Sequence, residues 1–181
     1  MTETNVKINV TELSPRAVQQ AAESNFKKGY YCCEALMYTV REELKLDLPK
    51  EIIAMSSGMA VGIGKSGCVC GALNGGVLAL GMLFGRTEQN GPTNPKSIKT
   101  LELTNELHDY FKQYNGKGAA CCRVLTREFN MGKGEHKEQC IFFTGLCAWK
   151  VAQIVCRECG IKNLDETDEP AARRKLEEIP V

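Results

Sequence analysis

The chain has 181 residues, and its 23 Lys and Arg nearly balance its 22 Asp and Glu, leaving a formal net charge of +1. This balance gives no reason to expect nucleic acid or anionic lipid as a partner, and the length suits one domain with a single core. The 10 cysteines, in a chain whose first residues lack a secretion signal, predict a cytoplasmic protein with metal-binding or reactive thiols, because a reducing compartment disfavours static disulfides.

The first part of the chain predicts three helices. Ser14 and Pro15 begin the first one, since a hydroxyl cap followed by proline suits a helix start, and it ends at Gly29. Apolar residues recur at helical spacing over residues 30–46, which predicts the second helix. Pro49 begins the third.

The middle of the chain is rich in glycine. Glycines at 58, 62, 64 and 67 predict a turn with left-handed or tight backbone before an apolar stretch. Residues 70–84 of this stretch predict a buried central helix whose small residues let a neighbouring helix approach closely. Its length and its glycines argue against a membrane span.

The second half of the chain predicts helices over residues 97–114, 119–129 and about 138–159, separated by polar loops. Residues 165–181 are predicted to form a peripheral, charged helix, and residues 1–13 a flexible segment. No sustained alternation of β-branched residues predicts a strand. We therefore expect an all-α, single-domain bundle of six to eight helices.

The cysteines fall into five groups, each on or at the end of a predicted helix. A helix bundle brings such distant positions side by side, so the groups are candidates for a common site. Adjacent cysteines rarely pair with each other, because their Cα atoms are only about 3.8 Å apart. The groups are Cys32 with Cys33, Cys68 with Cys70, Cys121 with Cys122, Cys140 with Cys147, and Cys156 with Cys159.

Cys68 and Cys70 precede the predicted central helix. The free N–H groups and partial positive charge of a helix N-terminus favour thiolate over thiol there. Gly67, Gly71 and Gly75 are expected to allow close approach of a cofactor or of a second backbone segment. The alternative is a glycine-rich helix crossing that contains two buried cysteines.

Other motifs exclude several kinds of site. The pair Cys156 and Cys159 has redox and zinc spacing, but no strand precedes it and no second such pair exists, which disfavours a thioredoxin fold or a zinc ribbon. Neither His108 nor His136 stands in a haem-attachment motif, so no haem is expected. Residues 62–67 lack the spacing of a phosphate-binding loop, so no nucleotide is expected.

Three sequence motifs resemble the C_GCAxxG_C_C family of redox-active proteins. They are Cys-Cys-Glu-Ala-Leu at 32–36, Cys-Gly-Ala-Leu-Asn-Gly at 70–75 and Cys-Arg-Val-Leu at 122–125, and a cysteine near the start of the last long helix completes the pattern. The resemblance covers about residues 15–158. It also extends to a domain of split-Soret cytochromes, which implies electron transfer and an iron-containing cysteine site.

The resemblance implies four metal-binding cysteines: Cys32, Cys70, Cys122 and either Cys147 or Cys140. Cys147 fits the pattern better, because the residues after it match the last helix of the family. The cysteines beyond the basic four suggest a larger centre or additional resolving thiols. The alternate ligands are Cys33, Cys68, Cys121 and Cys140.

Three functional hypotheses follow. The first is an iron–sulfur centre that passes electrons to a redox partner protein, since cysteine abounds and histidine is scarce. The second is metal-free thiol–disulfide chemistry, in which Cys70 or Cys68 attacks and a nearby cysteine resolves. The third is a structural zinc site. The sequence leaves open whether the chain is an oxidoreductase or an electron carrier, and we expect a homodimer.

Overall fold

A computed structural model of the chain describes residues 2–181. Within that range the chain forms seven α-helices and one pair of two-residue parallel strands, which confirms the all-α prediction. The strands pair Glu12 with Lys162 and Leu13 with Asn163. In chain order the elements are β1 (Glu12–Leu13), α1 (Pro15–Lys27), α2 (Cys32–Glu43), α3 (Ala54–Ser57), α4 (Gly71–Phe84), α5 (Pro95–Tyr114), α6 (Cys122–Thr126), α7 (Lys137–Cys159) and β2 (Lys162–Asn163).

Helix starts follow the capping signals of the sequence. The Ser14 hydroxyl accepts a hydrogen bond from the Ala17 N–H at 3.0 Å, with Pro15 in the first turn of α1. The Asn94 side chain caps α5 in the same way, again before a proline. Two predicted helices are shorter than expected. Pro49 begins only a short 3-10 turn, and α6 covers the middle of residues 119–129, because its flanking residues pair with another loop as described below.

Helix α7 lies at the centre of the bundle and packs against α1, α2, α4 and α5. By length and composition α7 is apolar enough to cross a membrane, but 83% of its most apolar window is buried within the protein, as in the core helix of a folded domain. Its largest buried side chains are Phe143 and Trp149.

Helix α4 packs closely against its neighbours through glycine. A Cβ on Gly75 would lie 3.0 Å from the Cys33 Cα in α2, and one on Gly76 would lie 2.6 Å from Leu107 in α5. The predicted close approach of helices at this stretch is therefore present.

The N-terminal segment, for which the sequence predicts flexibility over 1–13, contacts the rest of the protein over residues 2–13; residue 1 lies outside the described range. The Thr2 N–H donates to the Glu158 carbonyl and the Asn5 N–H to the Leu83 carbonyl, both at 2.7 Å. Three alternating apolar residues then pack against the core, and β1 ends in the buried Leu13. Burial of these side chains offsets the entropy of ordering the segment. The three are Val6, Ile8 and Val10.

The C-terminal segment, residues 165–181, is not the α-helix that the sequence predicts. Its only regular structure is a 3-10 turn over Leu176–Glu178. Pro170 lacks an N–H and disfavours helical backbone before it, and the Gln19 side chain bonds both backbone polar groups of Ala171. Residues 171–179, here called the C-terminal strap, therefore lie extended across α1.

Candidate cysteine centre

Four cysteines from four different helices line one cavity of about 330 Å³. Each lies at or near the beginning of its helix: Cys32 begins α2, Cys70 caps α4, Cys122 begins α6 and Cys140 lies in the first turn of α7. A helix N-terminus has free N–H groups and a partial positive charge. At Cys70, burial has the larger effect on the pKa and raises it, while the N–H groups of Leu73 and Ala72 act on the sulfur and lower it.

A short stretch of backbone pairing holds two of these cysteines in register. The Cys70 N–H donates to the Ala120 carbonyl at 2.8 Å, and the Cys122 N–H donates to the Cys68 carbonyl at 2.5 Å. Val69 and Cys121 form an antiparallel bridge between these two bonds. Each cysteine segment thus fixes the other, although they are far apart in sequence.

The loop before Cys68 winds in a left-handed direction. Val61, Gly62, Ile63, Gly64 and Lys65 have consecutive φ angles of 52°, 71°, 63°, 57° and 66°. Left-handed backbone is costly for residues other than glycine, and for β-branched residues most of all. Such strain concentrates at functional sites, and Val61 in fact lines the cavity.

The glycines of this region make room for the cysteine segments. A Cβ on Gly71 would overlap Cys32 Sγ, and one on Gly62 would lie 2.8 Å from the Cys122 Cβ. Gly75 meets the backbone of Cys33, as described above. Gly67 has a φ of +75° and packs against Arg123, whose N–H donates to the Gly67 carbonyl at 2.9 Å. Close approach at 67, 71 and 75 is thus approach between parts of this chain.

Burial controls the protonation of the cavity thiols. It raises the pKa of Cys70 to about 12, although the N–H groups of Leu73 and Ala72 act in the opposite direction. It also raises the pKa of Cys140 to about 12, with a further increase from Cys70. At Cys70, removal from water therefore outweighs the helix N-terminus, and the predicted preference for thiolate does not hold in the metal-free protein.

Cys32 and Cys33 influence each other's protonation. The neighbouring thiol raises the pKa of Cys32 and lowers the pKa of Cys33, while burial raises both pKa values. The Cys33 thiol also donates to the Ser56 carbonyl at 3.0 Å. Only Cys32 of this pair lines the cavity, so the two adjacent cysteines have different surroundings.

The remaining candidate cysteines lie apart from the cavity wall. Cys147 lies on the same face of α7 as Cys140, about two turns further along the helix, where it is fully buried in the core and does not line the cavity. Cys68 is exposed, and the Cys121 thiol donates to the Gly67 carbonyl at 3.1 Å. The structure thus places the alternate Cys140, in the position expected for Cys147, beside Cys32, Cys70 and Cys122.

Cys156 and Cys159 lie in the last turn of α7, at the opposite end of that helix from the cavity. Burial raises the pKa of both thiols.

Apart from Gly71, which was predicted, sequence reasoning missed the other residues of the cavity wall. Most are apolar or aromatic and come from the end of α1, the start of α2, the loop before α7 and the C-terminal strap. His136 lies one turn before Cys140, and burial followed by the charge of Lys137 lowers its pKa. The proximity of Tyr30 and Tyr31 to Cys32 in sequence was the one signal for this wall. The apolar members include Phe26, Tyr30, Tyr31, Met131, Ile141 and Leu176.

No group of three or more His, Cys, Asp or Glu side chains among residues 2–181 is arranged so that it could hold a single metal ion. A tetrahedral zinc ion needs its thiolates within about 2.3 Å of one point, whereas an iron–sulfur cluster takes one thiolate at each iron, so its ligands stand further apart. Four cysteine side chains are the donor set that such a cluster takes.

Comparison with known proteins identifies one family. The family described as "Putative redox-active protein (C_GCAxxG_C_C)" matches residues 30–154, a span that contains all four cavity cysteines and excludes the C-terminal strap. No curated protein and no solved structure matches the chain. The family match covers more than half of the sequence. The chain therefore belongs to the C_GCAxxG_C_C family of redox-active proteins.

Proposed function

We propose that this protein carries an iron–sulfur centre in the four-cysteine cavity and passes electrons to a redox partner protein. The observation that supports it is the convergence of four thiols, each near a helix N-terminus, on one cavity of about 330 Å³. A bound cluster would supply the one-electron redox chemistry. Cys32, Cys70, Cys122 and Cys140 would each contribute one thiolate.

The surrounding residues would prepare this site in three ways. The N–H groups of Ala72 and Leu73 act on the Cys70 sulfur, and hydrogen bonds to sulfur tune the potential of such centres. The thiols of Cys70 and Cys140, with pKa values of about 12, must release their protons on ligation, so loading is expected to improve as the pH rises. The apolar wall excludes water and lowers the local dielectric.

A metal-free thiol–disulfide mechanism is the second candidate. The specific feature in its favour is the adjacent pair Cys32 and Cys33, in which the Cys32 thiol lowers the pKa of Cys33. Against it, Cys33 is fully buried and Cys70 is protonated at neutral pH, whereas an attacking thiol must be both ionised and accessible. A structural zinc ion has less support, for the geometric reason given above.

The first test is the iron and acid-labile sulfide content of protein purified without oxygen, together with its visible and electron paramagnetic resonance spectra. We expect iron with matching sulfide in the wild type and in Cys147→Ala, and loss of both in Cys140→Ala. Both variants remove a thiol from α7, but Cys140 lines the cavity, whereas Cys147 is a fully buried core residue outside its wall. Protein that binds no iron even after reconstitution would overturn the proposal. Zinc in its place would support the third reading.

The redox partner, the homodimer and the cytoplasmic location remain predictions of the sequence.

A further inference from the structure

The C-terminal strap forms part of the wall of the cysteine cavity. Leu176 lines the cavity directly, and Ile179, three residues later, is almost completely buried. Lys27, another wall residue, donates from Nζ to the Ile179 carbonyl at 2.5 Å. The strap therefore covers the same space in which the four thiols meet.

Two buried side chains of α1 hold the beginning of the strap. Gln19 accepts from the Ala171 N–H at 2.8 Å and donates to the Ala171 carbonyl at 3.0 Å. Glu23 forms an ion pair with Arg174, in which Arg174 Nε lies 3.1 Å from the carboxylate. Gln19 and Glu23 also bond each other at 3.0 Å, and Gly145 of α7 leaves the space that they fill.

The attachment is specific, yet it depends on few contacts. Within the strap the only regular structure is one 3-10 turn, and its two further polar attachments are the Lys27 bond and a 3.3 Å ion pair between Arg173 and Glu138. When the strap is released, water replaces Ala171 and Arg174 as partners of Gln19 and Glu23, so no buried polar group is left without a partner. Segments held in this way open locally at a cost well below that of global unfolding.

We propose that the C-terminal strap is a removable lid on the cysteine cavity. When it is bound, Leu176 shields the thiols and Ile179 anchors the end of the strap; when it is released, the cavity opens for a redox partner or an oxidant. The purpose of the lid rests on the proposed redox function, but its opening is a property of the metal-free chain as well.

The experiment measures the alkylation rate of each cysteine by mass spectrometry, on the reduced, metal-free, full-length protein treated with N-ethylmaleimide. Arg174→Ala removes the ion pair with Glu23 that holds the strap, and Leu176→Ala removes the strap side chain that lines the cavity. Glu177→Ala is the matched control, because Glu177 is an exposed residue of the same turn. We expect Cys32 and Cys140 to react about tenfold faster in the first two variants and at the wild-type rate in the control.

Two other cysteines serve as internal references. Exposed Cys68 should react at the same rate in every variant, and fully buried Cys147 should stay protected. Unchanged rates at Cys32 and Cys140 in both variants would overturn the lid. Faster alkylation of Cys147 together with the cavity thiols would overturn it too, because the strap would then support the whole fold. Since no metal is present, failure to bind iron leaves this test unaffected.

Discussion

At the scale of single residues, the site depends on the absence of side chains as much as on their presence. Gly71 and Cys32 belong to different helices, and the sulfur occupies the space in which a Gly71 Cβ would stand. The sequence predicted that the glycines beside Cys70 allow close approach of a cofactor or of a second backbone segment. It could not indicate that the neighbour is the sulfur of Cys32, since helix packing rather than local spacing brings the two together.

Gly71→Ala should therefore displace Cys32 and destabilise the protein by about 1–3 kcal/mol, as overpacking of a full site does. Gly81→Ala is the matched control on the same helix, because a Cβ there meets nothing within 4 Å. It should be neutral or stabilise α4 by up to about 1 kcal/mol. Denaturant unfolding of both variants measures the difference. Equal stabilities would contradict the contact between Gly71 and Cys32.

At the scale of elements, a hydroxyl cap and a proline predicted the start of α1, because such signals act within a few residues of sequence. Asn94 and Pro95 form the same signal at α5, which begins two residues before the predicted 97, whereas Pro49 begins only a 3-10 turn. Helix α6 begins late because Ala120 before it bonds to Cys70, and the N–H groups of its first two residues bond to Cys68 and Gly67. No local pattern encodes that pairing. Nor does any local pattern predict the left-handed backbone of Val61, Ile63 and Lys65, since these residue types are typical of extended or helical backbone.

The left-handed loop offers a pair of opposite substitutions at neighbouring positions. Gly64→Ala should destabilise the protein by about 1–2 kcal/mol, since a Cβ at a φ of +57° is strained even in open space. Lys65→Gly removes the same strain from an exposed residue with a φ of +66°. It should be neutral or raise the free energy of unfolding by up to about 1 kcal/mol, after the entropic cost of glycine. If both substitutions lowered the free energy of unfolding equally, the result would argue against the left-handed conformation at Lys65.

At the scale of the whole molecule, sequence patterns predicted the helical class and the single core, but not the positions of the two terminal segments. Val6, Ile8 and Val10 alternate over too few residues to predict a strand, and they bury their side chains without forming one. The strap has a charged composition that suits a surface helix. Its path is set by Gln19 and Glu23, buried polar residues whose partners lie some 150 residues away.

Buried thiols should also determine the alkaline limit of stability of the metal-free protein. The pKa values of Cys70 and Cys140 rise from 9.0 to about 12 on folding, so between these values the unfolded chain has lost protons that the folded chain keeps. The contribution of these two thiols to the free energy of unfolding is fully present below about pH 9. It decreases from there towards pH 12, by about 1.4 kcal/mol per pH unit for each thiol.

Denaturant unfolding across this pH range measures how steeply the free energy of unfolding falls with pH. In Cys70→Ala this slope should be smaller by the contribution of one thiol, about 1.4 kcal/mol per pH unit. Leu73→Ala is the control, because it removes an apolar side chain of the same helix without removing a titrating group. Its stability should be lower at every pH while its slope matches the wild type. A Cys70→Ala slope equal to the wild-type slope would contradict the buried, protonated Cys70.

The distribution of the cavity wall along the chain has a consequence for how the protein is made. Cys32 and Cys140 are separated by most of the sequence, and the Cys70 and Cys122 segments hold each other in place only after both exist. The four cysteines therefore leave the ribosome one after another, and the complete set exists only when α7 has been made. If the proposed cluster is bound, we expect its insertion after that point. Assembly of the centre is thus expected to depend on chain completion and on a donor that acts on the folded protein.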